Sequence, residues 1–237
     1  MEKYAYLFLL FLIYSVLGWI VEMCFTYIFQ YKKFVNRGFL IGPYCPIYGC
    51  GVLLIIYLLK DFTSKPVALF VLAMAICMAL EYITSYIMEK LFNARWWDYS
   101  DKKFNINGRI CLETTIPFGI GGLLVMYVIN PFINKILVSL PKNTLIIISL
   151  ICFILFLIDL IISFNVIMKI KNIDISKYKG IFKRDDTEKI NKRVREYLIN
   201  HSILTKRLML SFPNARIRIK NTIKNGKKKI VKKLKGK

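Results

Sequence analysis

Histidine is almost missing from this sequence: His201 is the one example in 237 residues. A Ser-His-Asp triad or a His-based metal site therefore has no place in the apolar part of the chain, since both depend on imidazole nitrogens. Acidic residues are scarce too, 14 against 36 Lys and Arg, and the net charge is +22. No Gly-x-x-x-x-Gly-Lys-Ser/Thr run occurs, so the chain has no phosphate-cradling loop for ATP hydrolysis. No inverted repeat of the kind many secondary transporters carry is visible. The six cysteines, Cys24, Cys45, Cys50, Cys77, Cys111 and Cys152, lie in or beside apolar stretches. Only Cys45 and Cys50 are spaced at all like metal ligands, and small buried hydrophobes are the better description. No metal or cofactor is called for.

Long apolar runs are what the chain has in quantity. With 56% apolar residues, 14% aromatic residues and a mean hydropathy of +0.49, its solvent is the bilayer. About 18 to 20 apolar residues cross a hydrocarbon core, and this predicts an all-α polytopic membrane bundle of about five transmembrane helices. The spans are expected at about 4-29, 45-59, 66-88, 110-133 and 143-168. The first is too long for a signal-peptide core and is followed by no small-residue cleavage pattern, so it is retained. The second is short, and the uncharged Gly38-Phe39-Leu40-Ile41-Gly42-Pro43-Tyr44 before it reads as a re-entrant or broken approach.

Orientation follows from Lys and Arg in short loops, which stay cytoplasmic. Loop one carries Lys32, Lys33 and Arg37, and loop three carries Lys90, Arg95, Lys102, Lys103 and Arg109. Loops two and four have only Lys60 with Lys65 and Lys135 with Lys142. The odd loops are thus expected inside, with the N-terminus outside and the C-terminus cytoplasmic. The tail, 169-237, agrees: it holds 23 Lys and Arg against 5 Asp and Glu.

That tail reads as a separate, helical or partly disordered unit. Asp185-Asp186-Thr187-Glu188 caps a pattern of Ile190, Val194, Tyr197, Leu198, Ile203, Leu204 and Leu208 at helical spacing, predicting an amphipathic helix over about 185-210. Pro213 should follow its end, with a second weak helix between Asn214 and Lys237. Anionic membrane lipid is the expected partner of so basic a segment, at about 1 kcal/mol per Lys or Arg near the surface. Nucleic acid is disfavoured, because aromatic residues are sparse in the tail and no fold signature is present.

A carboxylate inside a span costs about 2.5 to 3.5 kcal/mol on insertion scales and so faces a bundle interior or a watery cavity. Glu22, Glu81, Glu113 and Asp159 are four such residues. Glu22 and Glu81 each lie about seven residues, roughly 10 Å, from the inner end of their spans, and Glu113 sits near the inner start of its own. On the third span Glu81, Ser85 and Glu89 follow at intervals of four and form one polar stripe. Glu89 and Asp98 are also compatible with plain solvation, and Asp159 with pairing to a neighbouring helix. Trp19, one turn before Glu22, offers an indole donor beside Gly18. Loop one adds Asn36, Arg37 and the Gly/Pro-dense approach to Tyr48, and loop three adds Asp98, Asn107 and Arg109. Arg37, Arg95 and Arg109 suit bidentate binding of lipid phosphate, or pairing with Glu22, Glu81 and Glu113. Trp96 and Trp97 are expected as interfacial anchors, and Gly119, Gly121 and Gly122 as close helix-packing positions.

Gly18-Trp19 with Glu22, Asn36-Arg37-Gly38-Phe39, Gly42-Pro43 with Pro46-Ile47-Tyr48-Gly49, Trp97-Asp98-Tyr99 and Asn107-Gly108-Arg109-Ile110 occur in that order. In these motifs the chain resembles the bacterial multi-span membrane family of type IV ABC-transporter permeases, from roughly Leu12 to Pro131. The resemblance implies a permease subunit whose ATP hydrolysis comes from a separate ATPase subunit, and five spans are compatible with a homo-oligomer. The expected function is a membrane transporter with a polar, cytoplasm-facing cavity for an ion, small solute or lipid headgroup, which would not itself be an enzyme. One alternative is an intramembrane lipid-modifying enzyme with a carboxylate base and Arg37 or Arg109 on phosphate. Another is a non-catalytic scaffold that recruits anionic lipid or a partner through its tail.

Overall fold

Four helices are long and apolar enough to cross a membrane: α1 (Glu2–Thr26), α3 (Pro66–Phe92), the compound span Leu112–Ser139 and α6 (Lys142–Lys171). They come from a computed structural model, which describes residues 1–28, 36–92, 94–171, 192, 195–200, 202–212 and 215–217. A shorter helix, α2 (Pro46–Leu58), has 13 residues and rises only about 20 Å. The compound span is α4 (Leu112–Leu124), a π-helical turn (Val125–Ile129) and α5 (Asn130–Ser139). Pro131, in the first turn of α5, fits there because no backbone donor is needed at a helix start. The chain is an all-α polytopic membrane bundle. Its outer face is apolar: Leu150, Ile154, Leu155, Ile158 and Ile161 of α6 are all exposed, which only a lipid solvent accommodates.

Glycine sets how closely the helices approach. A Cβ on Gly18 would fall 2.2 Å from the Tyr48 ring, and one on Gly49 2.4 Å from Ser15 Oγ, so α1 and α2 touch through these gaps. Gly119 and Gly122 do the same for α4 against α3, meeting Phe70 and Ala73. Gly121 departs from expectation, because it faces open space. Position 121 is on the outer side of the helix when 119 and 122 face α3, as the helical period requires.

All the odd-numbered loops lie at one end of the bundle. The opposite end is closed by Ala5, Leu9 and Leu10 of α1 with Ile133 and Leu137 of α5 and Leu145 of α6, and by hydrogen bonds from Tyr6 to Asn134 (2.9 Å) and Tyr14 to Asn130 (3.3 Å). At the loop end, Phe92, Trp96, Ile167, Leu198, Leu208 and Met209 form a second core. Trp96 is 3% exposed, edge-on to Phe39 and Phe212, and is therefore a core residue and not an interfacial anchor.

The described part of the tail packs onto this end. The amphipathic helix expected over 185-210 is not continuous: 195–200 is helical, Ser202 is extended, and its hydroxyl caps a new helix, α7 (Ile203–Ser211), by accepting from the Thr205 N–H. Residues 185–191 and Pro213 lie outside the described residues. In place of a second helix at 216–217, β4 (Arg216–Ile217) pairs antiparallel with β1 (Ala94–Arg95), Ala94 opposite Ile217. The remaining strands, β2 (Asn105–Ile106) and β3 (Ile110–Cys111), form a hairpin in loop three, so α4 begins at Leu112 and the span does not start as a helix at 110.

Candidate functional site

Loop one supplies the first half of the site. Its Gly38–Cys45 segment plunges into the bundle until the Cys45 N–H donates to the Ser15 carbonyl at 2.8 Å. That point lies some 11 residues, roughly 16 Å, inward from the Thr26 end of α1, and α2 starts there. A chain buried away from water must find partners for its peptide groups. Asp159 of α6 accepts from the N–H groups of Ile41 (3.0 Å) and Gly42 (2.7 Å), from the Tyr44 hydroxyl and from Ser163 (2.8 Å). Arg207 of α7 donates to the carbonyls of Ile41 (3.1 Å), Gly38 (3.1 Å) and Phe39 (3.3 Å). Burial lowers the affinity of the Arg207 guanidinium for its proton, and the Asp159 charge opposes that effect. Asn36 completes the loop: its Oδ1 accepts from Trp19 Nε1 (2.8 Å) and the Gly38 N–H (3.0 Å). Gly42 has no room for a side chain, since a Cβ there would lie 2.5 Å from the Tyr44 ring.

Glu22 stands beside this loop. It accepts from the Tyr48 hydroxyl at 2.7 Å, and Arg37 Nε lies 4.0 Å away. Arg37 also donates to Thr26 Oγ1 and to the Ser211 carbonyl, each at 2.9 Å, while Ser211 donates to the Asn36 carbonyl. The Tyr48 ring reaches Glu22 through the gap at Gly18.

Loop three supplies the second half. Asn107 and Gly108 both have positive φ, 53° and 64°, and the Arg109 N–H closes the turn on the Ile106 carbonyl at 3.0 Å, so three residues join the paired Ile106 and Ile110. This turn aims Arg109 down at the α3 stripe. Arg109 bonds Ser85 (3.1 Å) and Glu89 (2.6 Å), and its guanidinium lies over the rings of Tyr82 and Tyr86. Arg95 approaches the same Glu89 at 3.6 Å and Asp98 at 3.2 Å. Trp97 Nε1 donates to the Arg109 carbonyl, and Asn107 to the Tyr82 hydroxyl at 3.0 Å. Tyr99 donates to Glu81 Oε1 at 3.3 Å. Its phenol is held well above its ordinary range, first by burial and then by the carboxylates of Glu81 and Glu22.

Trp19, Glu22, Asn36, Arg37 and Tyr48 thus form one connected group, and Ser85, Asp98, Asn107 and Arg109 belong to the other. Glu81 lies between them. Glu113 is not brought in: it is exposed and paired with Lys102 at 2.8 Å. Arg109 pairs with Glu89 and not with Glu81 or Glu113 because the hairpin delivers it about two turns beyond Glu81 along α3, past Ser85. Glu89 is 7% exposed and Asp98 pairs with Arg95, so neither is merely solvated. Arg37 and Arg109 both have protein partners, Arg37 lying near Glu22 as one of the expected pairings and Arg109 bonding Glu89. Sequence reasoning gave no role to Tyr44, Tyr99 and Arg207, and it read Asp159 as pairing with a neighbouring helix, whereas Asp159 holds the loop-one segment. The Asn107-Gly108 pair was the available signal for the hairpin, and a lone carboxylate in the apolar run of α6 the signal for Asp159.

No curated protein and no solved structure matches the chain. A family model described as "Putative ABC-transporter type IV" matches residues 9–164, which takes in most of every spanning helix and the site residues from Trp19 to Asp159, but not Arg207 or Ser211. The chain is therefore a multi-pass membrane protein that belongs to this ABC-transporter-type family.

Proposed function

We propose that this protein is the membrane subunit of a transport assembly, and that Glu22, Tyr48, Glu81 and Tyr99, flanked by the Arg109–Glu89 network, form the polar site through which an ion, small solute or lipid headgroup passes. One observation carries the reading: Glu81, Glu89 and Arg109 are each less than a tenth exposed, in a bundle whose outer surface is apolar. Ionisable groups are expensive at that depth, and pathways through membranes are where they are kept. The positive loops support placing this end in the cytoplasm, with the N-terminus outside. There the basic tail meets anionic lipid, and an ATPase partner can dock, which the family assignment favours and the missing phosphate loop requires.

Reconstitution into liposomes tests this. A solute panel is expected to yield flux that Glu22→Gln and Glu81→Gln each abolish while the variants still elute as folded protein. Flux undiminished in both variants removes these carboxylates from the path.

A further inference from the structure

Glu81 is the least satisfied charge-bearing group in the site. It is 8% exposed, its Oε1 has only the long 3.3 Å contact from Tyr99, and its Oε2 has no hydrogen-bond partner among the described residues. The cation nearest in sequence register, Arg109, is spent on Ser85 and Glu89. Among the described groups that face Glu81, the Glu22 carboxylate opposes a negative charge, Tyr99 favours it only through that one long hydrogen bond, and the neutral phenol and thiols bring no positive charge. From α1 comes the Glu22 carboxylate, from α2 the Tyr48 phenol, from α3 itself the Cys77 thiol, and from loop three Tyr99 with Cys111 behind it. From α4, Glu113 is exposed on Lys102. A buried carboxylate with no cation and one weak donor is far more costly than the neutral acid.

From this geometry we infer that Glu81 is held as a neutral carboxylic acid and is the residue at which the membrane domain takes up and releases a proton. The inference rests on the transport reading for its purpose, since a proton held here would be the coupling or gating ion of the path. Uptake forms an O–H bond at one carboxyl oxygen and removes one negative charge from the bundle. Release breaks that bond and returns the proton to water at the loop end, where the Tyr99 hydroxyl stands between Glu81 and the hairpin.

Infrared difference spectroscopy of the full-length protein in nanodiscs reads the protonation state directly. At about pH 7, far above the ~4.3 of an unperturbed glutamic acid, the wild type is expected to show a protonated-carboxyl C=O band that is absent in Glu81→Gln. Tyr99→Phe, which removes the bond to Oε1, is expected to shift that band. Should Glu81→Gln misfold, carbon-13 labelling of glutamate must move the band and Tyr99→Phe must still shift it. No protonated band in the wild type, or a band indifferent to Glu81→Gln, to the label or to Tyr99→Phe, overturns the assignment. The two readings fail separately. A protonated Glu81 with flux indifferent to Glu81→Gln sinks the transport reading, whereas flux that needs an ionised Glu81 sinks only this one.

Discussion

Asp159 and Arg207 grip opposite sides of the same peptide segment. The aspartate takes the N–H groups of Ile41 and Gly42, and the arginine gives to the carbonyls of Gly38, Phe39 and Ile41. Hydrogen bonds to charged groups contribute about 1.5 to 3 kcal/mol each. Asp159→Ala is therefore expected to speed hydrogen exchange at Ile41 and Gly42 by about 10- to 100-fold. Arg207→Ala should loosen the same loop. Unchanged exchange at both amides would show that the loop holds itself.

Arg109 and Glu89 make a buried pair whose halves depend on each other. Removing one partner of such a pair costs about 3 to 5 kcal/mol, while replacing both with apolar residues can be neutral. Glu89→Leu alone should lower the thermal unfolding midpoint sharply, and adding Arg109→Met should recover much of the loss. The exposed pair of Glu113 and Lys102 is a control, since surface ion pairs are worth about 0 to 1 kcal/mol. Glu113→Gln is expected to leave the midpoint nearly where it was.

How much of this was legible beforehand follows from what is local. The long apolar spans could be read because a run of lipid-facing residues carries its own signal. The Gly/Pro density before Tyr48 marked a loop that bends sharply at the membrane boundary. What could not be read depends on contacts between distant residues. Nothing near Arg207 says that it meets Gly38, and nothing near Trp96 says that Phe212 and Leu208 will cover it. Arg109 was matched to Glu81 or Glu113 because depth along a helix was the only guide. The hairpin over 105–111, a contact set by strand pairing and not by depth, sends it to Glu89.

Glycine substitutions separate packing from backbone strain. Gly108→Ala places a Cβ 2.3 Å from Ser100 Oγ at a φ of +64°, and a left-handed non-glycine residue costs about 1 to 3 kcal/mol. Gly122→Ala forces a Cβ to 2.5 Å from that of Ala73, and overpacking costs about 1 to 3 kcal/mol. Gly121→Ala, which meets nothing within 4 Å, should be neutral or slightly stabilising through helix propensity. Equal midpoints for all three variants would contradict these assignments.

Tyr99 makes the stability of loop three sensitive to alkali. Its folded-state pKa lies above the unfolded value, with burial the main cause and the carboxylates of Glu81 and Glu22 next. The neutral phenol is thus the folded form, and its contribution is complete below about pH 10, the unfolded value. Stability is lost as pH rises beyond that, because the unfolded chain sheds a proton the folded one retains. A melt series from neutral to alkaline pH should fall less steeply for Tyr99→Phe than for the wild type. Parallel curves would assign the alkaline loss to other tyrosines.

The tail contacts also have a consequence for biosynthesis. Arg207 clamps carbonyls that leave the ribosome 166 to 169 residues before it does. By then α1, α2, α3, the compound span and α6 have all been made. The loop-one end therefore stays unlatched until all the spanning helices have been made, and a segment synthesised after them is what closes it.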